Sequence, residues 1–527
     1  MKDQDLDQSG VTRRDALRVG AGAAGGAALA GGLLGRALDA MAAPAEVGES
    51  PYGPLQAPDA NGLRLPQGFT SRVIARTGQE IGPRPYKFHY LPDGMGSYKT
   101  DDGGFILVSN SEAPHLPEAD LEIGTGAIRF NKNFKVVDAY PILTGTNINC
   151  AGGVTPWGTW LSCEEVDRGE VYECDPWGKK KQVVRPEMGC FKHEACAVDP
   201  IGKHVFLTED VGDGCLYRFT PAKYPDLAKG RLDVASVRED GTVDWITLPD
   251  PKFTGSVPTR KQVPEATVFR RGEGMWYDDG VVYFSTTQDD RVFAYHCADN
   301  LLEVLYDGEA LGEDAPLHDT DNVTVSPISG DLFVCEDPGE HQICIITAEG
   351  KAAPFAHLPG EEHANSELTG PVFDPSGSRL YFSSQRAKPA GTIYEISGPF
   401  RRTRAEPKDR KKPKLKVRTL GKPSLRRLLR AGQPFQLEVS DESMPVRIEA
   451  KLVARMKRVG GKGSREVTIG RLNRKVAKPG RKRIRLKVGE RFRKRLRRRN
   501  VSRAKLIVVA IDAKGNRRKV VKPVSFR

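Results

Sequence analysis

The chain has 527 residues, 39% of them hydrophobic, and a formal net charge of +13. That length suffices for two to four domains, or for one large repeat domain with an appendage, and only one apolar run, near the N-terminus, comes near a membrane span. The net charge hides two different objects: from Arg401 onward there are 45 Lys and Arg against 9 Asp and Glu, and before it 36 against 59.

In chain order, the first element is Thr12-Arg13-Arg14-Asp15-Ala16-Leu17-Arg18, followed by the glycine- and alanine-rich run from Val19 to Gly35 and by Ala40-Met41-Ala42. Charged, apolar and small-residue regions in that order make residues 1–42 a twin-arginine signal peptide. The run is too short and too glycine-rich for a good transmembrane anchor. The expected mature chain begins near Ala43, and its destination is the periplasm, the cell wall or the medium. The twin-arginine translocase, which carries folded proteins, is the expected export partner, and that route favours a protein loaded with metal beforehand. Nine cysteines leave at least one thiol outside any intramolecular disulfide. Cys163 is taken as that thiol.

Residues 43–400 contain a module repeated six times, beginning near "GGFILVSNSE", "WGTWLSCEEVDRGEVYEC", "GKHVFLTEDVGDGCLYRF", "DGVVYFSTTQDDRVFAYH", "SGDLFVCEDPGEHQICII" and "SGSRLYFSSQRAKPAGTIYEI". Each supplies a strand of alternating apolar residues, a polar or acidic end, and a second short strand. Most are preceded by another strand that opens on a polar residue. The first module departs, with "KFHYLPDG" in that place. The expected fold is all-β, a six-bladed β-propeller, in which residues opening the first strand and closing the second converge on one face. The first set is Asn149, Glu194, Glu273, Asn322 and Glu367; the second is Glu112, Cys163, Glu164, Glu165, Glu209, Asp210, Glu336 and Asp337. Any one of these is an ordinary turn carboxylate taken singly. Their recurrence at equivalent points calls for cations, because buried like charges are costly unless coordinated.

Oxygen ligands in quantity suit Ca²⁺, and a thiolate among them suits a softer transition metal such as iron. Zinc fits less well, since the nine histidines show no zinc-ligand spacing, and His193 beside Glu194 reads as a histidine that supports a ligand or sits in the core, not as a ligand itself.

"NCAGGVTPWGTWLSCEE", "FKHEACAVDPIGKHVFLTED", "RRGEG", the Asp-Asn before "GDLFVCED" and "ELTGPVFDPSGSRLYFSSQ" occur in the order found in the PhoX-type alkaline phosphatases. The chain resembles that family over roughly residues 60 to 400. The resemblance implies a propeller that binds Ca²⁺ and Fe³⁺ and hydrolyses phosphomonoesters. By motif it makes Cys163 the iron-binding cysteine and adds Glu194, Glu273 and Glu367 as ligands. Arg271 takes the role of phosphate-contacting arginine. The ligand set expected in full is Glu112, Cys163, Glu164, Glu165, Glu194, Asp210, Glu273, Asn322, Glu336, Asp337 and Glu367, with Arg271 and Asn149 as catalytic candidates. Asn110-Ser111-Glu112 stands where the family often reads Asn-His-Glu, keeping the carboxylate and losing the imidazole. Two other readings are a non-catalytic calcium-stabilised propeller that binds envelope polymers, and a propeller acting on phosphodiesters or lactones.

The last part opens on a charged, proline-containing linker over 401–420. In 421–527, Phe435, Leu437 and Val439 alternate with polar residues, as do Ile484, Leu486 and Val488, and "LIVVAIDAKGNRRKVV" reads as two strands around a Gly-Asn turn. The expectation is a basic antiparallel β-sandwich, immunoglobulin-like, on a monomeric protein. Its surface could hold an anionic envelope polymer or serve as a solvated spacer. No aromatic platform interleaves the basic runs, which argues against dedicated nucleic-acid binding.

Overall fold

The structure is a computed structural model and describes residues 44–83, 86–114, 121, 123–404, 414–440, 446–457, 464–489, 492–493, 496, 503–511 and 517–526. The twin-arginine segment lies outside the described residues. The chain divides into two compact units, Met1–Ala405 and Glu406–Arg527. Both are built from strands, as the alternating patterns require.

Among the described residues, the first unit holds six sheets of four or five strands, antiparallel except where the short strand Glu46–Val47 pairs in parallel with Lys351–His357. Their first strands are Pro92–Lys99, Asn149–Val154, His193–Asp199, Gly272–Asp278, Thr320–Val325 and Leu368–Phe373. These strands touch one another in cyclic order, the sixth meeting the first. The approach is close enough to exclude side chains: a Cβ on Gly94 would lie 2.4 Å from the Cα of Ala151, and one on Gly274 2.4 Å from that of Asn322. Six apolar clusters fill the spaces between neighbouring sheets. One joins Leu161 and Val171 of the second sheet to Val198 and Leu207 of the third, and another joins Met95 and Leu107 of the first to Val372 and Tyr381 of the sixth. Strand Thr70–Arg76 completes the sixth sheet by pairing with Thr392–Ser397, so residues from opposite ends of the unit close it.

The second unit packs a three-stranded sheet (Lys414–Thr419, Gln433–Ser440, Gly480–Leu486) and a four-stranded sheet (Val446–Lys457, Ser464–Val476, Arg503–Ile511, Arg517–Ser525) around one core. Phe435, Leu437, Val439, Ile484, Leu486 and Val488 are all buried there, which is what their alternation requires. The turn read in 512–516 lies outside the described residues, but the two strands it joins pair as expected. The segment 401–420 is not linker throughout. Arg401 pairs with Asp331 and Glu349, and Arg404 with Asp278, while Lys414–Thr419 is a strand that buries Leu415 and Val417. Charge density had masked a period-two pattern. Among the described residues no helix is long and apolar enough to cross a membrane.

Candidate metal centre

A repeated irregularity positions the site. Near its start, each first strand pairs with the end of its second strand through Pro92–Ser111, Asn149–Glu164, His193–Glu209, Gly272–Thr286, Thr320–Glu336 and Leu368–Ser384, and every one of these pairs of strands then shows a register shift. A bulge of this kind turns the next residue out of the regular alternation. On the first strands that next residue is Asp93, Cys150, Glu194, Glu273 and Asp321; in the sixth sheet Thr369 still pairs with Ser383 and the shift follows it. On the second strands it is Glu112, Glu165, Asp210, Thr287, Asp337 and Gln385.

These residues assemble an acidic centre. Asp93, Glu112 and Cys150 form one group in which the candidate ligand atoms lie within 4.8 Å of one another; Cys150, Glu165 and Glu194 form a second, and Glu194, Glu273 and Asp321 a third. Shared members chain the three groups together. The Cys150 thiol lies 3.5 Å from Asp93 Oδ2. Gln385 donates from Nε2 to both Asp93 and Glu112, and Thr287 donates to Glu273 Oε1 at 2.6 Å.

Two arginines border the acids. Arg271 holds Asp210 through two hydrogen bonds of 2.8 and 2.9 Å and reaches Glu273 at 3.0 Å and Asp337 at 3.4 Å. Its backbone takes a left-handed φ of 54°, held by hydrogen bonds from its N–H to Val211 and from Thr287 to its carbonyl. Arg386 bridges Glu112, at 3.0 Å, and Glu367. Lys192 lies 3.7 Å from Glu165.

The electrostatics are those of a site short of positive charge. Burial first, and the neighbouring acids second, push Glu112 up to about 7 and Glu165 to about 8. The same two causes hold Glu194 well above the carboxylate range, and burial leads for Glu273, Asp321, Glu367 and Asp93 as well. Glu194 Oε1 is buried without a hydrogen-bond partner among the described residues. A buried carboxylate oxygen left bare in this way is where a cation would sit.

Several residues singled out in the sequence therefore belong here: Glu112, Glu165, Glu194 and Glu273 within the metal-sized groups, and Asp210, Asp337, Glu367 and Arg271 beside them. Others do not. Cys163 faces away, fully buried in the apolar cluster between the second and third sheets and against Cys196. Its neighbour Ser162 faces the other way, toward Asn110 and Asn149, and strand alternation fixes both directions. Glu164 accepts from the backbone of Asn147 and Glu170, and Glu336 from that of His318, Glu340 and Gln342. Both are turn carboxylates.

Asn149 is bonded to Thr146 and Ser162 and has no part in the acidic groups. Asn322 donates to Asp321 at 2.7 Å and accepts from Thr369 and Gly370, so it orients a ligand candidate and is not one. Glu209 is bonded to Tyr217 and Arg260. His193 is a core histidine, donating from Nε2 to the Gly189 carbonyl and packed on Phe191. The residues missed are Asp93, Cys150, Asp321, Gln385 and Arg386. A signal for the first two was present, since Asp93-Gly94, Cys150-Ala151, Glu194-Ala195 and Glu273-Gly274 each place a ligand type before a small residue; Asp321 precedes Asn322 and carries no such signal.

Residues 119–305 match the model of a family described as alkaline phosphatase PhoX. Over this span the chain is similar to the PhoX family. The matched span includes Cys150, Glu165, Glu194, Asp210, Arg271 and Glu273, that is, the middle of the acidic centre. No curated protein matches the chain. Among solved structures, a structural genomics protein of unknown function from Bacteroides thetaiotaomicron shares 11% identity at a TM-score of 0.40, covering 62% of this chain and 76% of its own. A nidogen/laminin complex chain shares 14% identity at a TM-score of 0.34, covering 57% and 97%.

Proposed function

We infer that the chain is an exported, metal-dependent phosphatase that hydrolyses phosphomonoesters, with the six cyclically arranged sheets as propeller blades. The observation that carries this reading is the chain of three ligand groups around Cys150 and Glu194 inside the region similar to the PhoX family. The family supports an alkaline-phosphatase type of hydrolase. The donor set fits the metals the family implies: one thiol among many carboxylates, with a bare buried oxygen on Glu194.

Cys150 with Asp93, Glu112, Glu165 and Glu194 would hold the softer ion, taken as Fe³⁺, and Glu194, Glu273 and Asp321 would hold Ca²⁺. Bound cations would supply charge neutralisation for the phosphoryl group and a lowered pKa for an attacking water.

The protein's own groups do the rest. Without cations the acids far outnumber Arg271 and Arg386 and would repel a phosphate dianion. Arg271 spends Nε and Nη2 on carboxylates, and its Nη1 has no partner among the described residues, leaving one edge of the guanidinium for a phosphoryl oxygen. Thr287 and Gln385 fix carboxylate orientation by donating to them. Further along the first strands a cavity of about 300 Å³, lined by Ala151, Gly153, Ala195, Met275, Trp276 and other small or apolar residues, carries no carboxylate.

The test is hydrolysis of a chromogenic phosphomonoester at alkaline pH, with Ca²⁺ and with a chelator. Chelator-sensitive turnover is expected. No turnover in metal-loaded protein would favour a non-catalytic binding module, and turnover confined to diesters or lactones would favour the other hydrolase reading.

A further inference from the structure

The two outer faces of the C-terminal unit differ. On the three-stranded sheet, Lys414, Lys416 and Arg418 of one edge strand and Arg481, Arg483 and Arg485 of the other are exposed, while Leu415, Val417, Ile484 and Leu486 between them are buried. Backbone pairing sets Lys416 and Arg481 on either side of Glu438, and Arg418 and Arg483 on either side of Gln436. Two rows of three cations thus run along the edges of one sheet face. Within a row the spacing is two strand residues, about 6.7 Å, and the rows are two strand separations apart, about 9.6 Å.

Among the described residues, Glu438 is the single acid between the rows, and none of the six cations has an ion-pair partner. The outer face of the four-stranded sheet is of another kind, with Ile507, Val509 and the exposed Val521 among its charges.

Regular cations without counter-charges repel one another, and a linear polyanion lying along the strands relieves that repulsion by displacing bound counterions. The spacing suits phosphodiester chains with three carbon atoms between phosphates, a repeat that poly(glycerol phosphate) shares with the nucleic-acid backbone. Two strand residues span about six backbone bonds, and a phosphodiester chain with three-carbon units also repeats about every six bonds, so successive phosphates keep step with successive cations. Among the described residues no aromatic side chain stands on this face to stack a base.

We propose that this face binds a linear polyol-phosphate polymer, reading its evenly spaced phosphates in the trough between the two cation rows. The inference does not depend on the catalytic reading.

The test uses the full chain and poly(glycerol phosphate) as probe. The logarithm of the binding constant should fall against that of salt concentration with a slope of about −4 for six contacts. The triple variants K414Q/K416Q/R418Q and R481Q/R483Q/R485Q should each lose at least tenfold in affinity and flatten that slope by about 2. An equal charge change on the other sheet, R447Q/K451Q/R471Q, should cost less than threefold. All nine positions are exposed, and an unchanged thermal midpoint checks folding. Turnover of a small phosphomonoester should be the same in all three variants. Equal losses in the control triple would overturn the proposal. So would tighter binding of oligothymidylate, or of phosphatidylglycerol vesicles, than of the polymer at equal phosphate.

Discussion

Replacing each of two cysteines separates the metal ligand from the core residue. Cys150 and Cys163 lie on paired strands of the same sheet, yet only Cys150 reaches the acids. Cys163→Ala removes one heavy atom from a closed apolar cluster, which costs about 1–2 kcal/mol once transfer and cavity are counted. In a unit of this size that lowers the thermal midpoint by only about 2–4 °C or less and leaves metal content intact. Cys150→Ala removes a thiol that both its metal groups share. Changing a residue that merely supports a ligand costs about 10–100-fold in metal affinity or activity, so loss of the ligand itself should cost at least that much. Elemental analysis of protein folded in the cytoplasm, alongside phosphomonoester turnover, decides the matter. Iron and turnover should disappear in Cys150→Ala and persist in Cys163→Ala. The opposite pattern, or retention of iron by Cys150→Ala, would refute the assignment of the thiol.

The raised carboxylates give a pH signature. Glu112 and Glu165 stay protonated in the metal-free fold up to about 7 and about 8, whereas in the unfolded chain they ionise near 4.5. The folded state therefore binds more protons over that interval, and metal-free protein should lose stability as pH rises from about 5 to 8. Ca²⁺ should suppress the loss; equal midpoints at pH 5.5 and 8 in chelator would contradict it. Glu336→Gln gives up part of a carboxylate that serves three backbone donors and should cost about 1–3 kcal/mol in chemical denaturation with metal content unchanged. Asp321→Asn should do the reverse, lowering bound calcium with little loss of stability. A chain ending after Ala405 should keep its turnover of a small ester, because it retains Arg401, Arg404 and the Phe400 ring packed among Phe69, Phe355 and Phe373. Loss of turnover on that cut would show that the basic unit takes part in catalysis.

Much of the chain was legible by itself. Period-two alternation identified the strands, six recurrences gave six sheets, and the change in charge near Arg401 marked a boundary within a few residues of the observed one. These are local or compositional properties, and burying one face of a strand leaves its mark on every second residue. The acidic face was also legible as a recurrence, and Glu112, Glu165, Glu194 and Glu273, which it singled out, lie in the clustered groups.

What sequence could not decide was direction at the strand ends. The register shift near the start of the sheets turns a residue out of alternation, so a reading that took the residues opening the first strands chose Asn149 beside Cys150 and Asn322 beside Asp321, while Cys163 came from its place at the close of a second strand and from the family motif. A bulge depends on the pairing of two strands and on the crowding of six strands around one centre, where Gly94 and Gly274 leave no room for a Cβ. The same holds for the carboxylates: Glu164 and Glu165 are adjacent in the chain, but only tertiary packing sends one to the backbone of a loop and the other to Glu194 and Cys150. Neighbours along a regular strand face opposite ways, but at a shifted strand end which of them meets the shared centre is fixed by strand pairing and by the sheets around it.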